Sequence, residues 1–356
     1  MIVIADDITG AAEIAGIAFA HGEDVRLVCG DVIATNGISV VATDTRSMSE
    51  ADAVAETRRI ASRLLPHDSF LFKKTDSALR GHVVAELSAL MQATGYRRAV
   101  YVPANPSKGR VISNGIYYIH HVPIADTNFS FDPEFPAYTS TLEERFPDAS
   151  AKGILMPDVE NLDDIRRIIV QYNDGYTLFA GAADLFANLL ETGFSEESVS
   201  LRKPSTSVPS IDTGLSTLIL CGSTQSKAID CGIAASGMPE EVYNGSDDIS
   251  SWDFSTYETT HSLILTIPFS HRTGHEAAHH LRTMMALMAK RLVTLHCPAH
   301  LIIEGGATAW ATLQALGWTQ FDIVAQHAPG IVTMRTPAKT LVTIKPGSYP
   351  WGKIIE

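Results

Sequence analysis

The sequence predicts an α/β protein made of two α/β domains, each a mostly parallel sheet covered by helices, with an active-site cleft between them. Short apolar segments alternate with helical patterns along most of the 356 residues. Such alternation is typical of parallel strands joined by helices. Residues 197–214 are rich in Ser and Pro and lack a hydrophobic period. We therefore predict a linker at 201–214 between domains at 1–200 and 215–356.

Six apolar segments are predicted as strands of the first domain: Ile2–Ile4, Val25–Val28, Ile38–Ala42, Phe70–Phe72, Ala99–Val102 and Gly153–Met156. A first helix is predicted to start near Ala11. A second covers Ser49–Leu65, where Pro66 would end it, and a third covers His82–Ala93.

The alternation resumes after the predicted linker. Strands are predicted at Thr217–Cys221, Ser262–Ile267, His300–Ile303 and Leu341–Ile344. A long helix is predicted over Ser270–Leu295, and a shorter one over Ala307–Leu316, which Gly317 would end.

Composition narrows the classes of partner. The formal net charge of −13 argues against nucleic-acid binding, which requires a basic face. The four Cys form no Cys-x-x-Cys pair, which favours a reducing compartment. No basic leader precedes the first strand, and no apolar run approaches the roughly 18 residues of a membrane span. We expect a cytoplasmic protein that binds small molecules, not nucleic acid or membrane, and that can form a homo-oligomer.

The most informative segment is Lys73–Gly81, which combines cations, a carboxylate and a hydroxyl directly after a predicted strand. Ligands of parallel α/β sheets bind beyond the carboxyl ends of the strands. Asp6, Asp7, the segment Asp44–Arg46 and the segment Pro103–Pro106 also lie at predicted strand ends. These segments together predict a site for a small anionic polyol.

Two residue types at these strand ends suggest roles. Arg46 and Arg80 are candidate clamps for a substrate carboxylate, since guanidinium binds carboxylate bidentately; a surface salt bridge is the alternative for each. Asp6 either caps the first helix or binds substrate. For Asp7 we favour hydroxyl binding or proton abstraction, and Asp76 is the competing base.

A second kind of site is indicated at Gly305 and Gly306, between a predicted strand and an Ala-rich helix. There the backbone can approach a phosphate, and the helix start favours negative charge; a plain tight turn is the alternative. Segments Cys221–Thr224 and Lys345–Ser348 also end strands with small or hydroxyl residues, which favours one shared nucleotide pocket. Neither a Walker-type nor a dinucleotide-binding glycine motif occurs.

In chain order these motifs form a set that resembles the four-carbon acid sugar kinase family over nearly the whole chain. The set comprises Asp6-Asp7-Ile8-Thr9-Gly10, Asp44-Thr45-Arg46, Lys73–Gly81, Pro103–Pro106 with Gly109-Arg110, Cys221–Thr224, Glu304–Ala309 and Lys345-Pro346-Gly347. Members phosphorylate threonate, erythronate or 3-oxo-tetronate with ATP. Mg²⁺ is the expected partner of ATP because phosphoryl transfer mainly needs charge neutralisation and alignment.

The residue types at the strand ends and the resemblance together give the candidates; the resemblance implies the ATP-site residues and places the loop of Asn105 and Arg110 beside the substrate. Catalytic candidates are Asp7 and Asp76. Substrate-binding candidates are Asp6, Arg46, Lys74, Ser77, Arg80, Asn105 and Arg110. ATP-binding candidates are Ser223, Gly305, Gly306, Ala307, Thr308 and Gly347; Ala307 stands where the family commonly has an acidic residue. No residue is predicted to bind a metal directly.

Two alternative functions stay open at this point. Adjacent Asp6 and Asp7 after a first strand suggest a phosphatase with an aspartyl nucleophile, although that chemistry uses Asp-x-Asp spacing. A non-catalytic sensor of a sugar acid is the other alternative, if Ala307 abolished ATP binding.

Overall fold

The computed structural model describes residues 1–32, 36–64, 70–132, 134–192, 215–222, 237–243, 248–267 and 275–347. The chain divides into two compact units, Met1–Arg202 and Lys203–Glu356. Each unit is a mostly parallel sheet with helices, which confirms the predicted α/β class. The predicted linker at 201–214 lies outside the described residues, so the domain boundaries stay a prediction.

The first unit has ten described strands: β1 (Ile2–Ala5), β2 (Val25–Cys29), β3 (Ile38–Ala42), β4 (Leu71–Lys74), β5 (Arg98–Val102), β6 (Arg110–Ser113), β7 (Ile116–Ile119), β8 (Val122–Pro123), β9 (Ile154–Leu155) and β10 (Thr177–Gly181). Seven of them lie in the order β2-β3-β1-β4-β10-β5-β9. Every pairing described among these seven is parallel. Strands β6, β7 and β8 form a separate antiparallel sheet.

The helices of the first unit are α1 (Ile8–Ala20), α2 (Glu50–Ala61), α3 (Val83–Thr94), α4 (Leu142–Arg145), α5 (Leu162–Tyr172) and α6 (Ala183–Glu191). Helix α2 ends at Ala61 and not at the predicted Leu65. Helix α1 starts at Ile8, earlier than predicted, because the Asp7 side chain accepts a hydrogen bond from the Gly10 amide and caps the helix.

Buried apolar side chains explain why these elements form. Strand β3 is buried at every residue, as expected for a strand that is covered on both faces. Helix α1 contributes Ile8, Ile14 and several alanines to the core, and these small residues let it lie close to the sheet. Helix α2 is capped by Ser49, whose hydroxyl accepts from the Asp52 amide.

The second unit has seven described strands: β11 (Thr217–Cys221), β12 (Glu240–Val242), β13 (Ser262–Thr266), β14 (His300–Glu304), β15 (Gln320–Ala328), β16 (Ile331–Arg335) and β17 (Leu341–Lys345). Their order is β12-β13-β11-β14-β17-β16-β15. The first five are parallel, whereas β16 pairs antiparallel with both β17 and β15.

The described helices of the second unit are α7 (Ser255–Thr260), α8 (His275–His296) and α9 (Gly306–Leu316). Helix α9 ends at Leu316, and the next residue, Gly317, adopts a left-handed conformation as predicted for a helix end. None of the helices described in either unit has the length and apolar character needed to cross a bilayer.

Candidate active site

The first unit brings its charged strand ends together at one edge of the sheet. Strand β1 lies between β3 and β4, and all three run in the same direction. The residues that follow them therefore meet beyond their carboxyl ends. Asp6 and Asp7 follow β1, Arg46 follows β3, and Asp76 and Arg80 follow β4.

A single guanidinium, that of Arg46, connects three carboxylates at this edge. Its Nε and Nη2 donate to the two oxygens of Asp6 at 3.0 and 2.9 Å. Its Nη1 donates to Asp7 Oδ2 at 3.0 Å and lies 3.6 Å from Asp76 Oδ1. The predicted clamp is thus already occupied by carboxylates of the protein. Arg46 holds the acidic groups in place.

Asp7, and not Asp6, caps the first helix. Its Oδ1 accepts from the Gly10 amide at 2.8 Å, and its Oδ2 accepts from Thr9 Oγ1 at 2.5 Å. A Cβ added to Gly10 would lie 2.7 Å from Asp7 Oδ1 and 3.3 Å from Lys74 Nζ, so this turn requires glycine. The Asp7 side chain is 14% exposed and that of Asp6 is 3% exposed. Of the two, Asp7 is the more accessible to a ligand.

The three carboxyl groups differ in pKa. Burial raises the pKa of Asp6, and the neighbouring Arg46 only partly offsets this. Burial also opposes ionisation of Asp7, but Arg46, Thr9, Lys74 and the Gly10 amide outweigh it and lower the pKa. For Asp76, burial is outweighed by Arg80, Arg46 and Lys74, which hold its pKa well below the usual range. Asp7 and Asp76 are therefore ionised at neutral pH.

The Lys73-Lys74 doublet serves two faces of β4, because consecutive strand residues point to opposite faces. Lys73 Nζ donates to Glu86 of α3 at 2.6 Å, and this pair is buried. Lys74 Nζ lies 3.5 Å from Glu13 of α1 and donates to the Thr75 carbonyl. Of the two lysines, only Lys74 lies on the face of the site.

Sequence reasoning did not assign a role to Glu13 or Lys108. Glu13 Oε1 accepts from Lys108 Nζ at 2.5 Å, while its other oxygen faces Lys74. Burial opposes ionisation of Glu13, but the two lysines outweigh it and lower its pKa. Glu13 lies three residues after Gly10 on α1, and residues at that spacing share a helix face, so the spacing was an available signal.

Arg80 and Arg110 occupy different electrostatic settings. Arg80 donates through Nε and Nη2 to the two oxygens of Asp76, both at 2.9 Å, and its Nη1 lies 3.5 Å from Asp132. Arg110 donates to Ser77 Oγ. Within the described ranges no carboxylate lies within 4 Å of the Arg110 guanidinium. Of the predicted substrate cations, Arg110 is the one whose charge is not already paired there.

The remaining predicted substrate residue, Asn105, is buried at the end of β5. Its side-chain oxygen accepts from the Asp184 amide at 2.9 Å, which joins this loop to α6. Tyr117 holds the neighbouring loops by donating to the carbonyls of Ser77 and Pro103. Asn105 thus shapes the loop that carries Arg110.

The second unit has a different kind of strand end. Strand β14 leads through Gly305 into α9, which starts at Gly306. Gly305 has φ of +96°, a conformation that favours glycine. The first amides of α9, from Gly306 to Thr308, have no acceptor within the helix and can bind an anion. The predicted strand-to-helix turn is present.

Three strand ends are closely packed around this turn. A Cβ added to Gly222 would lie 2.0 Å from Thr308 Oγ1, so the backbone after β11 contacts α9 directly. Lys345 donates to Glu304 Oε1 at 2.6 Å, and both side chains are fully buried. Gly347 follows β17 in a turn. Ser223 lies outside the described residues. The geometry fits a phosphate held by backbone groups.

Comparisons with known proteins match the first and the second unit separately. A family model described as a sugar-binding N-terminal domain matches residues 1–189. The chain belongs to the four-carbon acid sugar kinase family. A second model, described as a nucleotide-binding C-terminal domain, matches residues 257–349. The predicted family is thereby confirmed.

Curated members of the four-carbon acid sugar kinase family match different shares of the chain. A D-threonate kinase of Salmonella typhimurium is 31% identical over 40% of this chain and 35% of that protein. A D-erythronate kinase of Heliobacterium modesticaldum is 28% identical over 40% of this chain and 35% of that protein. These matches span about a third of each relative's length. A 3-oxo-tetronate kinase of Haemophilus influenzae is 22% identical over 98% of this chain and 96% of that protein.

Solved structures show the same fold. A crystal structure of a Haemophilus influenzae protein covers 99% of this chain and 97% of its own, with a TM-score of 0.68 and 18% identity. A Salmonella typhimurium protein covers 98% and 96%, with a TM-score of 0.74 and 17% identity.

Proposed function

We propose that the protein is an ATP-dependent kinase that phosphorylates the terminal hydroxyl of a four-carbon sugar acid of the threonate, erythronate or 3-oxo-tetronate class. The observation that carries the proposal is the strand-end cluster of the first unit. It combines two buried carboxylates, Asp6 and Asp76, and the partly exposed Asp7 with a guanidinium, that of Arg110, whose charge no described carboxylate pairs. Carboxylates accept hydrogen bonds from the hydroxyls of a polyol, and a guanidinium binds its carboxylate.

Arg110 is the proposed ligand of the substrate carboxylate. Its in-plane N–H groups can bind a carboxylate bidentately, whereas two of the Arg80 donors are already used by Asp76. Arg46 supports the substrate indirectly, because it fixes Asp6 and Asp7 relative to each other. Lys74 and Ser77 complete the polar lining.

Asp7 is the proposed acceptor of the proton from the attacking hydroxyl. It is ionised at neutral pH because the surrounding cations and donors lower its pKa, and it is more exposed than Asp6. A lowered pKa makes Asp7 a weak base. A weak base suffices where the transition state is loose and the hydroxyl loses its proton late.

ATP is the proposed phosphoryl donor, held through its phosphates by the amides of Gly306, Ala307 and Thr308. The glycines at 222 and 305 support this, since each lies where a side chain would clash or be strained. Mg²⁺ would accompany ATP and neutralise its phosphate charge. The described residues contain no cluster of three His, Cys, Asp or Glu suited to a metal ion. We therefore propose that Mg²⁺ is bound mainly through the phosphates.

A coupled assay for ADP release tests the proposal. Purified protein with Mg-ATP is supplied with D- and L-threonate, D- and L-erythronate and the 3-oxo acids, and with erythritol as the matched polyol that lacks a carboxylate. We expect release of ADP with at least one acid and none with erythritol. Binding of ATP without turnover of any acid would show that the substrate class is wrong.

A further inference from the structure

Phe129 lies beside both predicted substrate arginines, although sequence reasoning assigned it no role. The Arg110 guanidinium carbon lies over its ring at 5.7 Å from the centroid, and that of Arg80 lies over the same ring at 5.9 Å. Both distances fall within the range of cation–π attraction. An aromatic face is the negative part of the ring's quadrupole, so one ring can attract two cations that repel each other.

Hydrogen bonds hold the backbone of Phe129 at both its amide and its carbonyl. Phe129 belongs to a short 3₁₀ helix, Asn128–Phe131, which Thr127 caps by accepting from the Phe129 amide. The Phe129 carbonyl accepts from the amides of Asp132 and Ala137 at 3.3 and 2.9 Å. The Phe129 side chain is half-buried. A half-buried ring on a backbone held in this way can orient a neighbouring guanidinium.

The two guanidiniums that lie over the Phe129 ring differ in how their N–H groups are bonded within the protein. The in-plane donors of Arg80 are directed to Asp76 and Asp132, so Arg80 has its ligands within the protein. Among the described residues, Arg110 has one in-plane bond, to Ser77 Oγ. A ring over the guanidinium face leaves the remaining in-plane N–H groups available, and these are the groups that bind a carboxylate.

We propose that Phe129 is a positioning residue of the sugar-acid site, whose ring orients Arg110 so that its N–H groups can receive the substrate carboxylate. This inference rests on the proposed function and deepens it. It assigns selectivity for the acid over the neutral polyol to an aromatic residue outside the strand-end motifs.

The test compares Phe129→Leu, Phe129→Tyr and Phe131→Leu in the full chain. Phe131 is two residues away and 85% exposed, which makes it the matched control. We expect Phe129→Leu to raise the KM for the sugar acid by roughly 3- to 30-fold while kcat changes little, since a cation–π contact is lost in the ground and transition states alike. Phe129→Tyr should restore the KM, because it keeps the ring. Phe131→Leu should have no effect.

A second measurement does not depend on turnover. The Nε–Hε NMR signal of Arg110, assigned by its absence in Arg110→Lys, should be shifted by the ring current of Phe129. It should move in Phe129→Leu and keep its position in Phe129→Tyr. If the wild type turns over no sugar acid, the proposed function fails, and this signal alone decides whether the ring orients Arg110.

Three results would overturn the inference. The first is an unchanged KM in Phe129→Leu. The second is equal impairment of the Leu and Tyr variants, which would show that packing volume and not the aromatic face matters. The third is an Arg110 signal that does not respond to Phe129→Leu.

Discussion

The two units use the same edge of a parallel sheet in different ways. At the strand ends of the first unit, charged side chains form the candidate site: Arg46 alone contacts three carboxylates. At the strand ends of the second unit, backbone amides and glycines form the candidate site, and the charged pair Glu304–Lys345 is fully buried. One topology can thus present either charged side chains or backbone amides at its strand ends, depending on the residues that follow the strands.

The largest effect should come from removing a charge at the strand ends of the first unit. Asp7→Asn keeps the helix cap, since Asn caps as well as Asp, but it cannot accept the hydroxyl proton. We expect kcat to fall by roughly 10²- to 10⁴-fold, with an unchanged circular dichroism spectrum. Asp163→Asn, at the exposed start of α5, is the control and should be neutral. Normal kcat in Asp7→Asn together with loss in Asp76→Asn would assign the base to Asp76.

Replacing Arg110 and Arg80 by alanine, one at a time, should distinguish an arginine that binds the substrate from one that stabilises the fold. We expect Arg110→Ala to raise the KM for the sugar acid by roughly 10- to 100-fold, as charged hydrogen bonds to the substrate are lost. Arg80→Ala should instead lower the melting temperature, because Asp76 would lose its bidentate partner. Steady-state kinetics and thermal unfolding measure the two effects. The reverse pattern would show that Arg80, and not Arg110, binds the carboxylate.

A side chain added at the strand ends of the second unit should weaken nucleotide binding and leave the candidate sugar-acid site of the first unit intact. Gly306→Val would crowd the approach to the first amides of α9, and we expect the Kd for an ATP analogue to rise roughly 5- to 30-fold. The KM for the sugar acid should not change. Ala311→Val, about one and a half turns further along α9, controls for the effect of a branched residue on the helix. Equal ATP affinity in Gly306→Val and wild type would show that the phosphate binds elsewhere.

The smallest expected effect is on stability at low pH. The folded pKa of Asp76 lies well below its unfolded value because of Arg80 and Arg46, so unfolding takes up a proton. This stabilisation is present above the unfolded pKa, about 3.9, and is lost as pH falls toward the folded pKa. Between about pH 5 and pH 3 the denaturation midpoint of Asp76→Asn should therefore fall less steeply than that of the wild type. Parallel midpoint curves would contradict the pairing.

Sequence reasoning predicted the buried strands better than the rest of the fold. Strands such as β11 and β14 contain short apolar runs, Leu218–Cys221 and Leu301–Ile303, and a glycine follows each strand, so this pattern is directly readable. The hairpin of β6 and β7 was missed although its signal is present: Asn114 and Gly115 both have positive φ, as a tight hairpin turn requires. Strands β10 and β16 were not predicted, although β10 is buried at every residue. The position of β10 between β4 and β5 leaves no local signal, since strand order depends on long-range packing.

For the candidate site, the residue types were predictable but their pairing was not. That Arg46 contacts Asp6 and Asp7 while Arg80 contacts Asp76 depends on distances of about an ångström. Phe129 lies in a segment without hydrophobic period, so no pattern pointed to it. The assigned roles of these residues stay predictions until the variants are measured.

The Lys73-Lys74 doublet limits where residues can be inserted into or deleted from chains of this family. Insertion or deletion of one residue in β4 would move each lysine to the opposite face of the strand, so that neither keeps its present partner, Glu86 for Lys73 and Glu13 for Lys74. Strand β4 pairs with a parallel strand on each side, so a shift of one residue in its register cannot be accommodated. Viable insertions should therefore collect in the β6–β8 sheet and the segment after it, where the chain can change length without changing which lysine serves which face.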